Sequence, residues 1–242
     1  MKIDLFCPSR ERINKVLTFI CSIITTAKDI NNINLVLGID DDDPKLDHYL
    51  KIAQNLDFIQ VVRYPEGLIE KIGLCGLWNV MAEQTTNEII AMVGDDMKFE
   101  TPDWDEKILK EFSNKEDNFY LIHCNDGMRG PGNKYANVPP LAVNSFIHRD
   151  YVDTVGHYME EVEPNTFGDT YLDKVFELLN RKIYFHDIMI RHMHFSEYGG
   201  KDQVSVNIEK TREGIWDDPA IFEEKLMPEI LKEVEIIKAK IA

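Results

Sequence analysis

Residues 91–104 read AMVGDDMKFETPDW, and the pair Asp95-Asp96 stands directly after an apolar run, Ile89 to Val93, that has the pattern of a buried strand. Adjacent carboxylates at a strand end repel one another unless something positive lies between them. A chain with a formal charge of −16, from 43 Asp and Glu against 27 Lys and Arg, gains little solubility from two more acids. The stretch LVLGIDDDDP, residues 35–44, poses the same problem. There the near-continuous apolar run Ile33 to Ile39, typical of a parallel strand buried on both faces, leads into Asp40, Asp41, Asp42 and Asp43.

Outward from these two stretches, apolar segments alternate between strand and helix periods, which predicts an α/β domain with a mostly parallel sheet. Strands are expected at Ile3–Cys7, Ile33–Ile39, Phe58–Tyr64, Glu88–Val93, Phe119–Cys124, Leu141–His148, Lys182–Phe185 and Ile188–His194. Helices are expected at Ile13–Ala27, Leu46–Asn55, Gly73–Thr85, Trp104–Phe112 with Asp103 as its cap, Thr170–Asn180 and Pro219–Ala242. The apolar stripe of the last helix (Ile221, Phe222, Leu226, Ile230, Leu231, Val234, Ile237) is read as packing on the core, with a homodimer surface as the second reading. Residues 125–140, NDGMRGPGNKYANVPP, form a Gly/Pro/Asn-rich binding loop, with Gly127, Gly130 and Gly132 supplying flexibility and no dinucleotide fingerprint.

Length and composition bound the reading. A chain of 242 residues, 44% of them hydrophobic, can bury one sizeable core, so a single domain is expected. Met1-Lys2 leads at once into a mixed stretch with no secretory pattern, and the longest apolar stretch, Val16 to Ile24, is too short to span a bilayer. A cytoplasmic protein is the expectation. Cys7, Cys21, Cys75 and Cys124 lie far apart in apolar contexts and read as buried thiols in a reducing compartment. The acidic balance argues against a long footprint on duplex nucleic acid.

In an open parallel sheet, ligands bind beyond the carboxyl ends of the strands. Three such ends carry unusual polar residues: Pro8-Ser9-Arg10, Asp40 to Asp43, and Asp95-Asp96. Parallel strands would bring them to one edge, where a hard divalent cation supplies the missing positive charge and takes oxygen ligands.

These residues resemble the GT-A fold nucleotide-sugar glycosyltransferases, in the style of the family-2-like enzymes. The resemblance spans Ile3 to Phe195, with residues 1–98 as a nucleotide-sugar-binding part, 99–196 as an acceptor and catalytic part, and 197–242 as an extension it does not explain. It implies that Asp40 holds the nucleobase and that Gly94-Asp95-Asp96 stands for the D-x-D motif, with Gly94 departing at its first position. Asp96 is then the metal ligand and Asp95 contacts ribose or a metal-bound water. Thr101 to Trp104 resembles the P-x-W segment that follows, and Asn79 the asparagine of the preceding helix, on the donor side with Pro8, Ser9 and Arg10. FGDTYL, Phe167 to Leu172, resembles the E-D segment of the catalytic base, aligning Asp169 with the base and Gly168 with the usual Glu. IRHMHF, Ile190 to Phe195, offers His192 or His194 as a further metal ligand, both on one side of a strand.

The activity implied is metal-dependent, inverting transfer of a sugar from a nucleotide donor, UDP-sugar foremost, to a hydroxyl of a glycan, nucleobase or other acceptor, with Mn2+ or Mg2+. Each residue also has a plainer role open to it. Asp41 to Asp43 can form an acidic turn, Asp169 can cap its helix, the histidines can be ordinary strand residues, and Arg10 and Arg129, candidates to offset the diphosphate, can be surface arginines. Asn125 and Asp126 are placed by position to touch sugar or acceptor. A nucleotide-sugar binding module without transfer is the alternative, as is a nucleotidyltransferase, although PSRERINK, residues 8–15, lacks the glycine-rich phosphate loop of the latter.

Overall fold

The computed structural model describes residues 1–163, 166–195, 199, 202–212 and 220–242. Four parallel strands form one half of the sheet: β1 (Ile3–Pro8), β2 (Ile33–Asp40), β3 (Ile59–Tyr64) and β4 (Ile89–Met92). The other half holds β5 (Met97–Phe99), β6 (Leu121–Asn125), β7 (Phe146–His148) and β8 (Lys182–His192). The eight strands run in the order β3-β2-β1-β4-β7-β6-β8-β5, with β7 antiparallel to both neighbours and β5 antiparallel to β8.

Helices cover both faces. On one side, α1 (Ile13–Thr26), α2 (Leu46–Asn55) and α4 (Trp104–Ser113) bury Val16, Phe19, Ile20, Tyr49, Trp104 and Ile108 against Leu5, Leu35, Leu37 and Ile39. On the other, α3 (Leu68–Glu83), α5 (Asp150–Val155), α6 (Gly168–Leu178) and α8 (Met227–Ile241) bury Leu77, Met81, Tyr151, Phe176, Ile230 and Val234 against Phe6, Val36 and Ile90. Successive residues of β1 and β2 thus enter opposite cores, which is why both strands read as near-continuous apolar runs, interrupted at Asp4 and Asn34. Between α6 and α8 lies α7 (Gln203–Arg212), and a π-helical turn, Ile221–Leu226, leads into α8.

Several expectations need correction. α3 begins five residues before the expected Gly73, which sits inside it as a kink with φ 66 and ψ −176, a conformation that only glycine adopts freely. Asp103 does not cap α4 with its side chain; its own backbone is left-handed, φ 58. Leu141 to Ser145 precede β7 outside the strand, because the Asn144 side chain occupies a ladder position and its Oδ1 accepts the Cys124 amide at 2.7 Å. Lys182 to His192 is one strand, with a bulge opposite Cys124/Asn125 that turns His186 and Asp187 outward. It stops two residues before His194. Cys7, Cys75 and Cys124 are buried, but Cys21 is exposed on the outer face of α1; all four are free thiols. Of the expected terminal helix, Pro219 lies outside the described residues; Leu226, Ile230, Val234 and Ile237 are buried, whereas Leu231 is exposed.

Candidate functional site

The parallel registers bring the three polar strand ends together. Pro8 pairs with Gly38 and Phe6 with Met92, so Ser9 lies level with Ile39, just before the aspartate run, on one side and with Asp95 on the other. Gly38 is needed here, since a side chain at that position would overlap the ring of Tyr64. The β5–β8 pairing then sets Met97 opposite His192, and the Met193 amide donates to the Asp96 carbonyl at 2.7 Å.

The two aspartates face different surroundings. Asp95 points inward with 5% of its surface exposed. Its Oδ2 accepts the Ser9 hydroxyl at 2.7 Å and its Oδ1 the Arg12 guanidinium at 3.2 Å. Burial pushes its carboxyl up to about 6; Arg12 opposes this and the Asp96 charge adds to it. Asp96 keeps 20% of its side chain exposed and lies 3.5 Å from His192 Nε2. Burial opposes its ionisation, but His192 in contact, with Arg12 and Lys15 nearby, holds it down at about 2. His192 is raised in turn, its burial outweighed by Asp96. Its Nδ1 is buried without a hydrogen-bond partner, and its ring centroid is 5.3 Å from that of His194.

This donor set fits a divalent cation. With bonds of about 2.1 Å, one ion spans a carboxylate oxygen and an imidazole nitrogen 3.5 Å apart, and the mixed O/N pair suits manganese or zinc better than magnesium. Gly94 stands where the resemblance expected the first aspartate of a D-x-D motif. A Cβ there would stand 2.7 Å from Asp96 Oδ1, so a side chain would push that carboxylate away from His192.

At the end of β2, Arg10 donates from Nη1 to Asp40 at 3.0 Å and grips Asp42 with both terminal nitrogens, at 2.6 and 3.0 Å. Burial raises the Asp40 carboxyl, with Arg10 opposing. Asp41 pairs with Arg63 at 2.7 Å, and Asp43 accepts the amides of Glu11 and Lys45, which makes it a builder of the turn.

Of the other expected site residues, Asp126 adjoins this group, its carbonyl accepting the His192 amide at 2.9 Å. The Asn79 amide ties α3 to the segment after α5, accepting from the Tyr158 and Met159 amides and donating to the Met159 carbonyl and Glu161. Asp169 occupies the first turn of α6, with its hydrogen bonds to the amide and hydroxyl of Thr170. A Cβ at Gly168 would lie 3.2 Å from Cys75 Sγ and 3.3 Å from Met159 Sδ, which leaves little room for the usual glutamate. Asn125 and Asp126 shape the loop after β6. Asp126 accepts the Met128 and Arg129 amides and the Arg129 guanidinium at 3.0 Å.

Sequence reasoning missed Arg12, Lys15, Asp202 and Ser205. Arg12 bridges Asp95 and the start of α7, donating to Asp202 at 2.8 and 2.6 Å and to Ser205 at 2.7 Å; Lys15 reaches Asp202 at 3.0 Å. Asp202 also caps α7 by accepting the Ser205 amide at 2.9 Å. The only local signal was the second arginine of PSRER, whose partner lies 190 residues away.

No family model and no curated protein sequence matches the chain. Solved structures do match. The mannosyltransferase PcManGT from Pyrobaculum calidifontis, in complex with GDP-Man and Mn2+, superposes at a TM-score of 0.64 and 13% identity over 98% of this chain and 73% of that one. TarS 1–349 of S. aureus with UDP-GlcNAc gives 0.62 and 13% over 96% and 72%. GalNAc-T7 with UDP, GalNAc and Mn2+ gives 0.58 and 13% over 89% and 49%. In another TarS 1–349 structure the chain spans 59% of the matched protein's length. The fold is therefore GT-A, the architecture that these sugar-nucleotide enzymes share. Among the described residues no helix is long and apolar enough to cross a membrane.

Proposed function

We propose that the chain is a metal-dependent, inverting glycosyltransferase that moves a sugar from a nucleotide donor to an acceptor hydroxyl in the cytoplasm. The observation that carries this reading is the Asp96–His192 pair at 3.5 Å, set beside Asp95, Ser9 and Asp40 at the carboxyl edge of a GT-A sheet. The matched PcManGT and TarS structures hold nucleotide sugars in the same fold.

Asp96 and His192, with His194 beside them, would hold Mn2+ or Mg2+. A cation bound there supplies positive charge to the diphosphate that departs from the sugar. Pro8, Ser9, Arg10, Asp40 and Asn79 belong to the donor side, with UDP foremost among the nucleotides. Asp169 takes the proton from the acceptor hydroxyl, whose oxygen attacks the anomeric carbon from the face opposite the leaving group. Residues 1–98 form the donor part and residues 99–196 the acceptor part. A glycan or a nucleobase is the expected acceptor, and the chain acts as a monomer or a homodimer.

A second reading, binding of a nucleotide sugar without transfer, draws support from Asp169, whose carboxylate is engaged by Thr170 of its own helix. Calorimetry with UDP and GDP, with and without Mn2+, followed by a donor-hydrolysis assay, separates the two. Tight Mn2+-dependent binding with turnover supports transfer, binding without turnover supports the second reading, and absence of nucleotide binding sinks both. Asp96→Asn should abolish Mn2+-dependent binding while leaving the circular dichroism spectrum unchanged.

A further inference from the structure

On the face of the sheet covered by α3, α5, α6 and α8, a second group of ligating side chains shares no residue with the site described above. His157 follows α5, Glu160 lies three residues on, and Glu233 projects from α8; one ligand atom of each lies within 4.8 Å of the other two. His157 Nε2 is 2.7 Å from Glu233 Oε1 and 3.7 Å from Glu160 Oε2. Around a tetrahedral ion with bonds of about 2.0–2.2 Å, ligand atoms sit about 3.4 Å apart, so the observed separations bracket the required one.

Both carboxylates are oriented by groups behind them. Glu160 Oε1 accepts the amides of Glu161 and Val162 at 2.9 and 3.1 Å, which leaves Oε2 turned toward His157. Glu233, with 5% of its side chain exposed, accepts the hydroxyls of Tyr151 at 2.6 Å and Tyr171 at 2.7 Å. Donors of this kind fix ligand direction around metal centres. The charges point the same way. Two carboxylates and a neutral imidazole carry −2, which a divalent cation cancels and a proton only halves.

We infer that His157, Glu160 and Glu233 form a binding site for a borderline divalent cation of the zinc class, which clips the C-terminal helix α8 to the segment that follows α5. One histidine and two carboxylates leave a coordination position open for water, and such a mixed N/O set favours zinc over magnesium. Glu233 is the only one of the three on α8, so ion binding and docking of that helix are linked.

The test uses the full chain carrying Asp96→Asn, which takes the carboxylate out of the other candidate metal site and leaves only its histidines, after treatment with a chelator. Zinc calorimetry should give one site per chain, and zinc should raise the thermal midpoint. Adding His157→Gln, which retains a hydrogen-bond donor, should weaken zinc at least tenfold and remove the rise; Glu160→Gln, at the rim of the cluster, should do the same. Absence of zinc uptake by the Asp96→Asn chain, or uptake that neither further substitution weakens, overturns the inference. The three residues would then be a proton-linked clamp in the first case, and the zinc would sit on other side chains in the second.

Discussion

Replacing Asp95 by Asn tests the electrostatics of the strand end directly. The side chain is almost isosteric, so the Ser9 hydroxyl at 2.7 Å keeps an acceptor, but the buried charge is gone. Burial lifts the Asp95 carboxyl from an ordinary value of 3.8 to about 6, and Arg12 is already included in that balance. A folded-state value above the unfolded one means that the native chain holds the extra proton between these two values. Stability is therefore lost as pH rises through the window and stays lower above it. Two units at about 1.36 kcal/mol each give a penalty of about 3 kcal/mol above roughly pH 7, fading to about 0.5 kcal/mol near pH 4. Urea denaturation of both proteins in chelator-treated buffer, at a series of pH values, measures it. Asp95→Asn should gain roughly 2.5 kcal/mol on the parent between about pH 4 and pH 7.5. The difference between the two proteins cancels the titrating groups that do not interact with Asp95. A difference that does not change with pH would refute the reasoning, because it would mean that Asp95 is not held in a charge-hostile site. Saturating Mn2+ should shrink the gain, since a nearby cation favours the ionised parent.

His123 should show the opposite slope. Burial, with Lys182 adding, holds its imidazole down at about 4, so the native state resists protonation that the unfolded chain accepts, and stability falls as pH drops below about 6.5. His123→Phe should therefore stabilise the chain by roughly 2 kcal/mol more at about pH 5 than at pH 8, as read by the same urea titrations. Gly94→Ala should leave stability nearly unchanged, because the atom 2.7 Å from the new Cβ is the end of the Asp96 side chain, which can swing aside. That swing parts Asp96 from His192, so Mn2+ affinity by calorimetry should fall at least tenfold; unchanged affinity would mean that this carboxylate position is not the one that binds.

The part of the fold that reads cleanly from sequence is the part where strands are buried on both faces. Ile3–Pro8 and Ile33–Asp40 send alternate residues into two cores, leaving apolar runs that end where the polar motifs begin. Beyond β4 the signal weakens. β5 is three residues long, with Lys98 exposed in its middle, and the bulge of β8 exposes His186 and Asp187 and so imitates a loop between two strands. The site divides in the same way. Its carboxylates were legible because adjacent charges after a buried run are costly without a partner. Their partners were not, because Arg12 and Asp202 meet only through the folded chain.

The contrasting environments of the two aspartates also bear on their division of labour. A ligand for a cation has to be ionised at working pH, partly open to solvent and close to another donor; Asp96 is held at about 2, keeps a fifth of its side chain exposed and faces His192. Asp95 is also largely ionised at neutral pH, but it is buried and both its oxygens are already engaged, by Ser9 and Arg12. Its contacts instead fix the loop after β1, and through Arg12 they reach Asp202 and the first turn of α7. On this reading Asp95 is a positioning residue that holds the donor loop against the sheet, and the motif needs only one ligating carboxylate. Glycine at position 94 then follows as a requirement: a side chain there would displace the one oxygen that matters.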